Sequence, residues 1–205
     1  MSTFATELRE FECAARESEL RNFSLSYLKS IPFAPNKGFG GRERELTQLE
    51  ELLFPKESEA DRVAISGLDG VGKTRLAMQI VHRTEKAQPE SSIFWIPAKD
   101  TETLERKYTQ IVRKLKLPGS EDPEADAKKL LQNHLCGDAG QWLLVYDNAD
   151  DEAMWFGETT RLKDYVPYNK AGSVLFTTRF EQIALKLAMP DHVVKLPTED
   201  KVMAR

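Results

Sequence analysis

Apolar residues fall along this chain in two recurring patterns. Short continuous apolar runs alternate with longer stretches in which apolar positions return every three or four residues. The runs are Val63-Ala64-Ile65, Ser92–Ile96 (SIFWI), Trp142–Tyr146 (WLLVY), Ser173–Thr177 (SVLFT) and His192–Leu196 (HVVKL). Runs of that length predict strands buried on both faces. The periodic stretches predict helices: Arg42 to Leu53, with Leu46, Leu49 and Leu53 on one face; Lys73 to about Glu85, with Leu76, Ile80 and Val81 inward; and Thr101 to Leu117, with Leu104, Tyr108, Ile111, Val112 and Leu115 inward. Asp122-Pro123 gives a capping residue followed by proline, which predicts a helix from there to Cys136 with Gly137 as its stop. Phe180–Ala188 reads as a short helix. The stretch from Asp150 to Tyr168, which holds Met154, Trp155 and Phe156, has no clear period and is expected to be a loop with room for one helical turn.

Strands alternating with amphipathic helices predict an α/β fold, a three-layer α/β/α arrangement around a mainly parallel five-stranded sheet. Ahead of it, Phe4, Leu8, Phe11 and Ala15 lie at helical spacing within residues 2–29, so residues 1–30 are expected to be a helical segment and linker. Such a helix covers the side of the main core or docks a partner, with disorder as the third alternative. Residues 31–41, IPFAPNKGFGG, are punctuated by two prolines and three glycines and read as extended chain. The main domain is expected to cover 31–205.

The candidate chemistry lies between the Val63 strand and the Lys73 helix. Gly67-Leu68-Asp69-Gly70-Val71-Gly72-Lys73-Thr74 matches the phosphate-loop pattern G-x-x-x-x-G-K-[ST] at every fixed position. Its glycines let the backbone approach an anion, and successive N–H groups point inward at a helix N-terminus. Lys73 is expected on an exposed rim, at the β- and γ-phosphates, and the Thr74 hydroxyl at Mg²⁺. Arg75 follows directly. Asp147 closes the apolar run Leu143–Tyr146, where its carboxylate would hold the same Mg²⁺ through water. Arg179 follows Thr177-Thr178 and would bring a guanidinium to the γ-phosphate. In a parallel sheet all three features fall at the carboxyl ends of the strands, where ligands bind.

Composition removes several alternatives. The formal net charge is −4 with no basic block, which argues against nucleic acid as partner. No apolar run approaches the length of a membrane span, and the first residues lack the apolar core of a secretory signal. Cys13 and Cys136 stand alone, as expected of unpaired thiols in a reducing cytoplasm.

Taken together, FGGRE, GLDGVGKT, LLVYDNAD and GSVLFTTR resemble the NB-ARC class of signal-transducing P-loop ATPases, the STAND nucleotide-binding domains of NOD-like receptors. The lead-in from Pro32 to Glu43 and the DNADD segment are most similar to fungal members. The resemblance implies that Phe39, Gly40 and Arg42 line an adenine pocket, that Gly67–Thr74 form Walker A and that Asp147 is the Walker B acid. It makes Thr178-Arg179 the sensor of the terminal phosphate, on a strand lying between the phosphate-loop strand and the Asp147 strand. Many relatives carry a second acid directly after the Walker B Asp; here Asn148 stands there, able to orient a water but a poor proton acceptor, with Asp150 or Asp151 as substitutes. The class continues into a helical bundle and winged-helix domain, whereas Arg205 lies nine residues past the last predicted strand. A fragment, or a shortened protein with an open nucleotide face, is expected.

The function implied is an ATP/ADP switch with Mg²⁺, slow hydrolysis and nucleotide-controlled assembly. Self-association would use the nucleotide-binding domain or the N-terminal helix. In fungal relatives the output is often self/non-self recognition or programmed cell death. A turnover ATPase subunit and a small-molecule kinase are the alternatives; against the kinase, the sequence has no lid-like Arg-rich segment.

Overall fold

Adjacent residues in the central strands point to opposite faces, and both faces are apolar. The structure, a computed structural model, describes residues 29–30, 41–55, 62–137, 139–158 and 161–197. Of the segment 2–29 predicted to hold a helix, residues 2–28 lie outside the described residues, Cys13 among them, as do Phe39 and Gly40. In chain order the elements are β1 (Lys29–Ser30), α1 (Glu43–Leu53), β2 (Arg62–Ser66), α2 (Lys73–Ala87), β3 (Ser92–Pro97), α3 (Thr101–Lys114) and α4 (Ala127–Cys136). They continue with β4 (Trp142–Asp147), α5 (Glu152–Phe156), β5 (Gly172–Thr178), α6 (Glu181–Leu187) and β6 (Val193–Lys195).

Among the described residues the sheet has six strands in the order β1-β3-β4-β5-β2-β6, every neighbouring pair parallel. Five were expected; the sixth is Lys29–Ser30, two residues that add to the edge of β3 and are too short to show a period. One face carries Ala64, Phe94, Ile96, Leu144, Tyr146, Val174 and Phe176 beneath α3, α4, α5 and α6. The other carries Val63, Ile65, Ile93, Trp95, Leu143, Val145 and Leu175 beneath α1 and α2. That two-sided burial, all at or near zero exposure, is why the strands read as unbroken apolar runs. Among the described residues no helix is long and apolar enough to cross a membrane.

Two local expectations are corrected. The helix before β4 begins at Ala127, capped by the Asp126 carboxylate on the N–H groups of Lys128 and Lys129. Asp122 does accept from the Glu124 N–H, but the chain closes into a turn there, with Ala125 N–H bonded to the Asp122 carbonyl. A side chain that caps a helix also caps a turn, and only the next residues decide between them. The stretch after Asp150 holds a short helix and a 3-10 turn at Leu162–Tyr165. Tertiary packing organises it: Trp155 is fully buried, its ring edge-on to Tyr146 and Phe176 at 5.1 and 5.4 Å.

Parallel pairing brings every carboxyl end to one rim. Ser66 registers with Thr178, and Pro97 with Asp147. β5 lies between β4 and β2, as the resemblance implied.

Candidate functional site

The loop leaving β2 is shaped by its glycines. At Gly67 a Cβ would sit 3.0 Å from the Leu196 carbonyl oxygen and 3.1 Å from Val71 Cγ2, so a larger residue would press on the chain leaving β6. Gly72 is the N-cap of α2 at φ 93°, a left-handed conformation that costs a side-chain-bearing residue about 1 kcal/mol or more. No side chain caps this helix. Its first N–H groups therefore lack an intrahelical partner and face the rim together with the positive end of the helix dipole, the arrangement that suits a phosphate. Leu68, Asp69 and Gly70 are exposed at the loop's crest, and Arg75 is exposed on the first turn of α2.

Lys73, expected on an exposed rim, is buried, with 8% of its surface accessible. Its ammonium folds back beneath the loop and donates to the carbonyls of Gly67 (2.7 Å) and Leu68 (2.8 Å). Burial pushes its pKa below the usual lysine value; Asp69, Asp150 and Asp147 pull it upward, and Arg179 opposes them. The charge is thus held ready inside the loop by weak carbonyl partners that a phosphate can outcompete.

Thr74 and Asp147, 73 residues apart in sequence, meet directly: the Thr74 hydroxyl donates to Asp147 Oδ1 at 2.9 Å. Among the described residues no group of three or more His, Cys, Asp or Glu could hold a metal. A hydroxyl and one carboxylate oxygen at a phosphate site nevertheless fit Mg²⁺, which takes one or two protein oxygens and completes its shell with phosphate and water. A third residue completes this corner. Thr177, 1% exposed, donates to Asp147 Oδ1 at 2.6 Å and accepts from the Asn148 N–H at 2.9 Å. Sequence reading placed Thr177 only as the end of a strand. The signal available was a hydroxyl closing an apolar run, and its importance appears only once β4 and β5 are neighbours.

Asn148 turns the chain out of β4 at φ 68°, a region asparagine tolerates better than most residues. Of the two substitute acids, Asp151 caps α5 through the Met154 N–H (3.0 Å) and takes a structural place. Asp150 is committed to Arg179. Its Oδ1 accepts from the Arg179 N–H (2.7 Å) and the Thr178 hydroxyl (2.8 Å), and its Oδ2 from Arg179 Nε (2.8 Å). Arg179 Nη1 also reaches Asp69 Oδ2 on the phosphate loop at 2.9 Å. Hydrogen bonds donated to Asp69 and then to Asp150 hold the guanidinium pKa above its usual value, and the Phe180 ring lies 5.3 Å from its central carbon. The rim therefore brings together Lys73, Thr74, Asp147, Asn148 and Arg179.

The residues expected around adenine are placed in part. Arg42 is the N-cap of α1 at φ 60°, and its Nη1 is buried with no hydrogen-bond partner among the described residues. Phe39 and Gly40 lie outside the described residues.

Comparison with known proteins gives the same reading from an independent side. The NB-ARC domain model matches residues 42–201. A nucleotide-binding leucine-rich repeat (NLR)-like protein of Hyaloscypha variabilis is 40% identical over 167 residues, 76% of this chain and 17% of that protein. Disease resistance RPP13-like protein 4 of Arabidopsis thaliana is 25% identical over 158 residues, 77% of this chain and 18% of that protein. The chain thus spans less than a fifth of the length of these relatives. Among solved structures, Cdc6p from Pyrobaculum aerophilum superposes with a TM-score of 0.53 at 18% identity, over 84% of this chain and 50% of that one. The Drosophila ORC bound to DNA gives 0.50 at 14% identity, over 83% and 45%. At such identities the two structures speak for the fold alone.

Proposed function

The chain belongs to the NB-ARC family, and from that premise we propose that it is a Mg²⁺-dependent ATP/ADP switch domain of an NLR-like signalling protein. The observation that carries this reading is the convergence, on one rim, of the phosphate loop, the Thr74–Asp147 contact and Arg179.

In this reading the uncapped N-terminus of α2 and the loop amides receive the α- and β-phosphates. Lys73 exchanges its two carbonyl partners for β- and γ-phosphate oxygens, a gain because the new acceptors are anionic. Thr74 and Asp147 hold Mg²⁺, with Thr177 fixing the Asp147 carboxylate; bound Mg²⁺ supplies charge neutralisation at the phosphates. Arg42, with Phe39 and Gly40, receives the adenine. Arg179 meets the γ-phosphate, and Asp150, bonded to its backbone and its Nε, keeps the guanidinium aimed across the rim. Hydrolysis is slow because the position after Asp147 is Asn148, which can hold a water but not take its proton, while Asp150 and Asp151 are engaged elsewhere. The name of the Arabidopsis relative supports a role in disease-resistance-type signalling; in the proposed switch the output is nucleotide-controlled self-association in the cytoplasm.

A switch must tell ATP from ADP, and a ligand shifts an equilibrium only through its differential affinity. Replacing Arg179 by alanine should weaken a non-hydrolysable ATP analogue about tenfold in calorimetry, the order expected for a charged hydrogen bond. ADP affinity should stay within about twofold. Equal losses for both nucleotides would sink the sensing role. Absence of any nucleotide binding by the parent chain would sink the whole reading.

A further inference from the structure

Asp69 occupies one of the variable positions of the phosphate-loop pattern, yet its carboxylate is the one loop side chain bonded to Arg179. Two carboxylates share that guanidinium, and they are not equivalent. Asp150 is sheltered, its side chain 8% exposed, and both its oxygens accept bonds, from the Thr178 hydroxyl and from the backbone N–H and Nε of Arg179. Asp69 is 70% exposed on the loop crest and holds Arg179 through a single Nη1–Oδ2 contact of 2.9 Å. Asp150 is the fixed anchor and Asp69 the exchangeable partner.

Building on the nucleotide reading above, we propose that Asp69 is a specificity-determining residue that occupies Arg179 in place of the γ-phosphate and so biases the site toward ADP. A nucleoside diphosphate contacts Lys73 and the loop amides and leaves the Asp69–Arg179 pair intact. A nucleoside triphosphate brings further negative charge to the same guanidinium. It must displace the Asp69 carboxylate and then tolerate a like charge beside it. The cost falls on the triphosphate alone, so the loop itself sets how strongly ATP must be favoured before the switch turns.

The test replaces Asp69 by asparagine, which keeps the side chain's size and a weaker acceptor for Arg179 while removing the charge. Titration of the 205-residue chain with Mg²⁺ and either ADP or a non-hydrolysable ATP analogue should show the analogue binding about fivefold more tightly to Asp69→Asn, the scale of a partly exposed ion pair. ADP should change by less than about twofold. In an Arg179→Ala background the same replacement should tighten the analogue by clearly less than in the parent, since only the like-charge contribution of Asp69 then remains. An equal change for both nucleotides, a weaker analogue, or an undiminished gain without Arg179 each overturns the proposal while leaving nucleotide binding intact. If the parent binds neither nucleotide, the proposal falls together with the function it rests on.

Discussion

Thr177→Val removes one oxygen from the site and nothing else, because valine matches threonine in volume and branching. In the folded protein that hydroxyl makes two bonds, one donated to the Asp147 carboxylate at 2.6 Å and one accepted from the Asn148 N–H at 2.9 Å. A hydrogen bond to a charged group contributes about 1.5–3 kcal/mol. Asp147 keeps its bond from Thr74 and is only half-buried, which places its loss near the lower figure. The Asn148 amide belongs to an exposed residue, so water can replace its partner at little cost. Valine also avoids burying a hydroxyl, which offsets part of the loss. The net destabilisation should be about 1–2 kcal/mol, or a drop of roughly 0.5–1 M in the urea midpoint at a slope near 2 kcal/mol/M. Thr177→Ser, which retains the hydroxyl, should recover the Mg²⁺-dependent part of nucleotide affinity that the valine variant loses. A valine variant within about 0.5 kcal/mol of the parent, with Mg²⁺-dependent binding unchanged, would show that Thr177 does not position Asp147.

Three further outcomes are expected. Lys73→Ala should lower affinity for both ATP and ADP by at least about tenfold in calorimetry, and unchanged affinity would remove Lys73 from the site. Asn148→Asp should raise the single-turnover hydrolysis rate, since aspartate tolerates the left-handed backbone at φ 68° and can accept a proton; a slower variant would show that this side chain does not orient the water. Gly172→Ala places a Cβ 1.9 Å from Trp142 Cε2. The indole must move and loosen its bond to the Leu135 carbonyl, so thermal or urea unfolding should register a loss of about 1–3 kcal/mol. A neutral effect would mean that β4 and β5 can separate without penalty.

The elements most legible in the sequence were those whose burial is two-sided. Trp142–Tyr146 and Ser92–Ile96 are apolar at every position because helices cover both faces of the sheet. Leu46, Leu49 and Leu53 announce a helix because one stripe alone meets the core. Where the pattern is local and its meaning depends on distant partners, reading failed. Asp122 and Asp126 look alike as caps, and α5 is stabilised by the contact of Trp155 with rings on β4 and β5, which no neighbour in sequence reveals. Lys73 was misplaced for the same reason: a lysine in a glycine-rich loop reads as exposed until the loop is seen to close over it.

The phosphate loop was legible in the chain before folding, since spacing, glycine and helix start are all contained within eight residues, 67–74. So was the parallel sheet, because strand and helix periods are local properties of the chain. Tertiary structure alone decided which acids serve which purpose. Asp147, Asp150 and Asp151 lie within five positions of each other, yet one meets Thr74 and Thr177, one anchors Arg179, and one caps a helix. It alone placed Asp69 on Arg179, 110 residues away. A carboxylate's role is set by the donors within about 3 Å of it, and in a crossed-over parallel sheet the donors to Asp147 and Asp150 come from elements far apart in the chain.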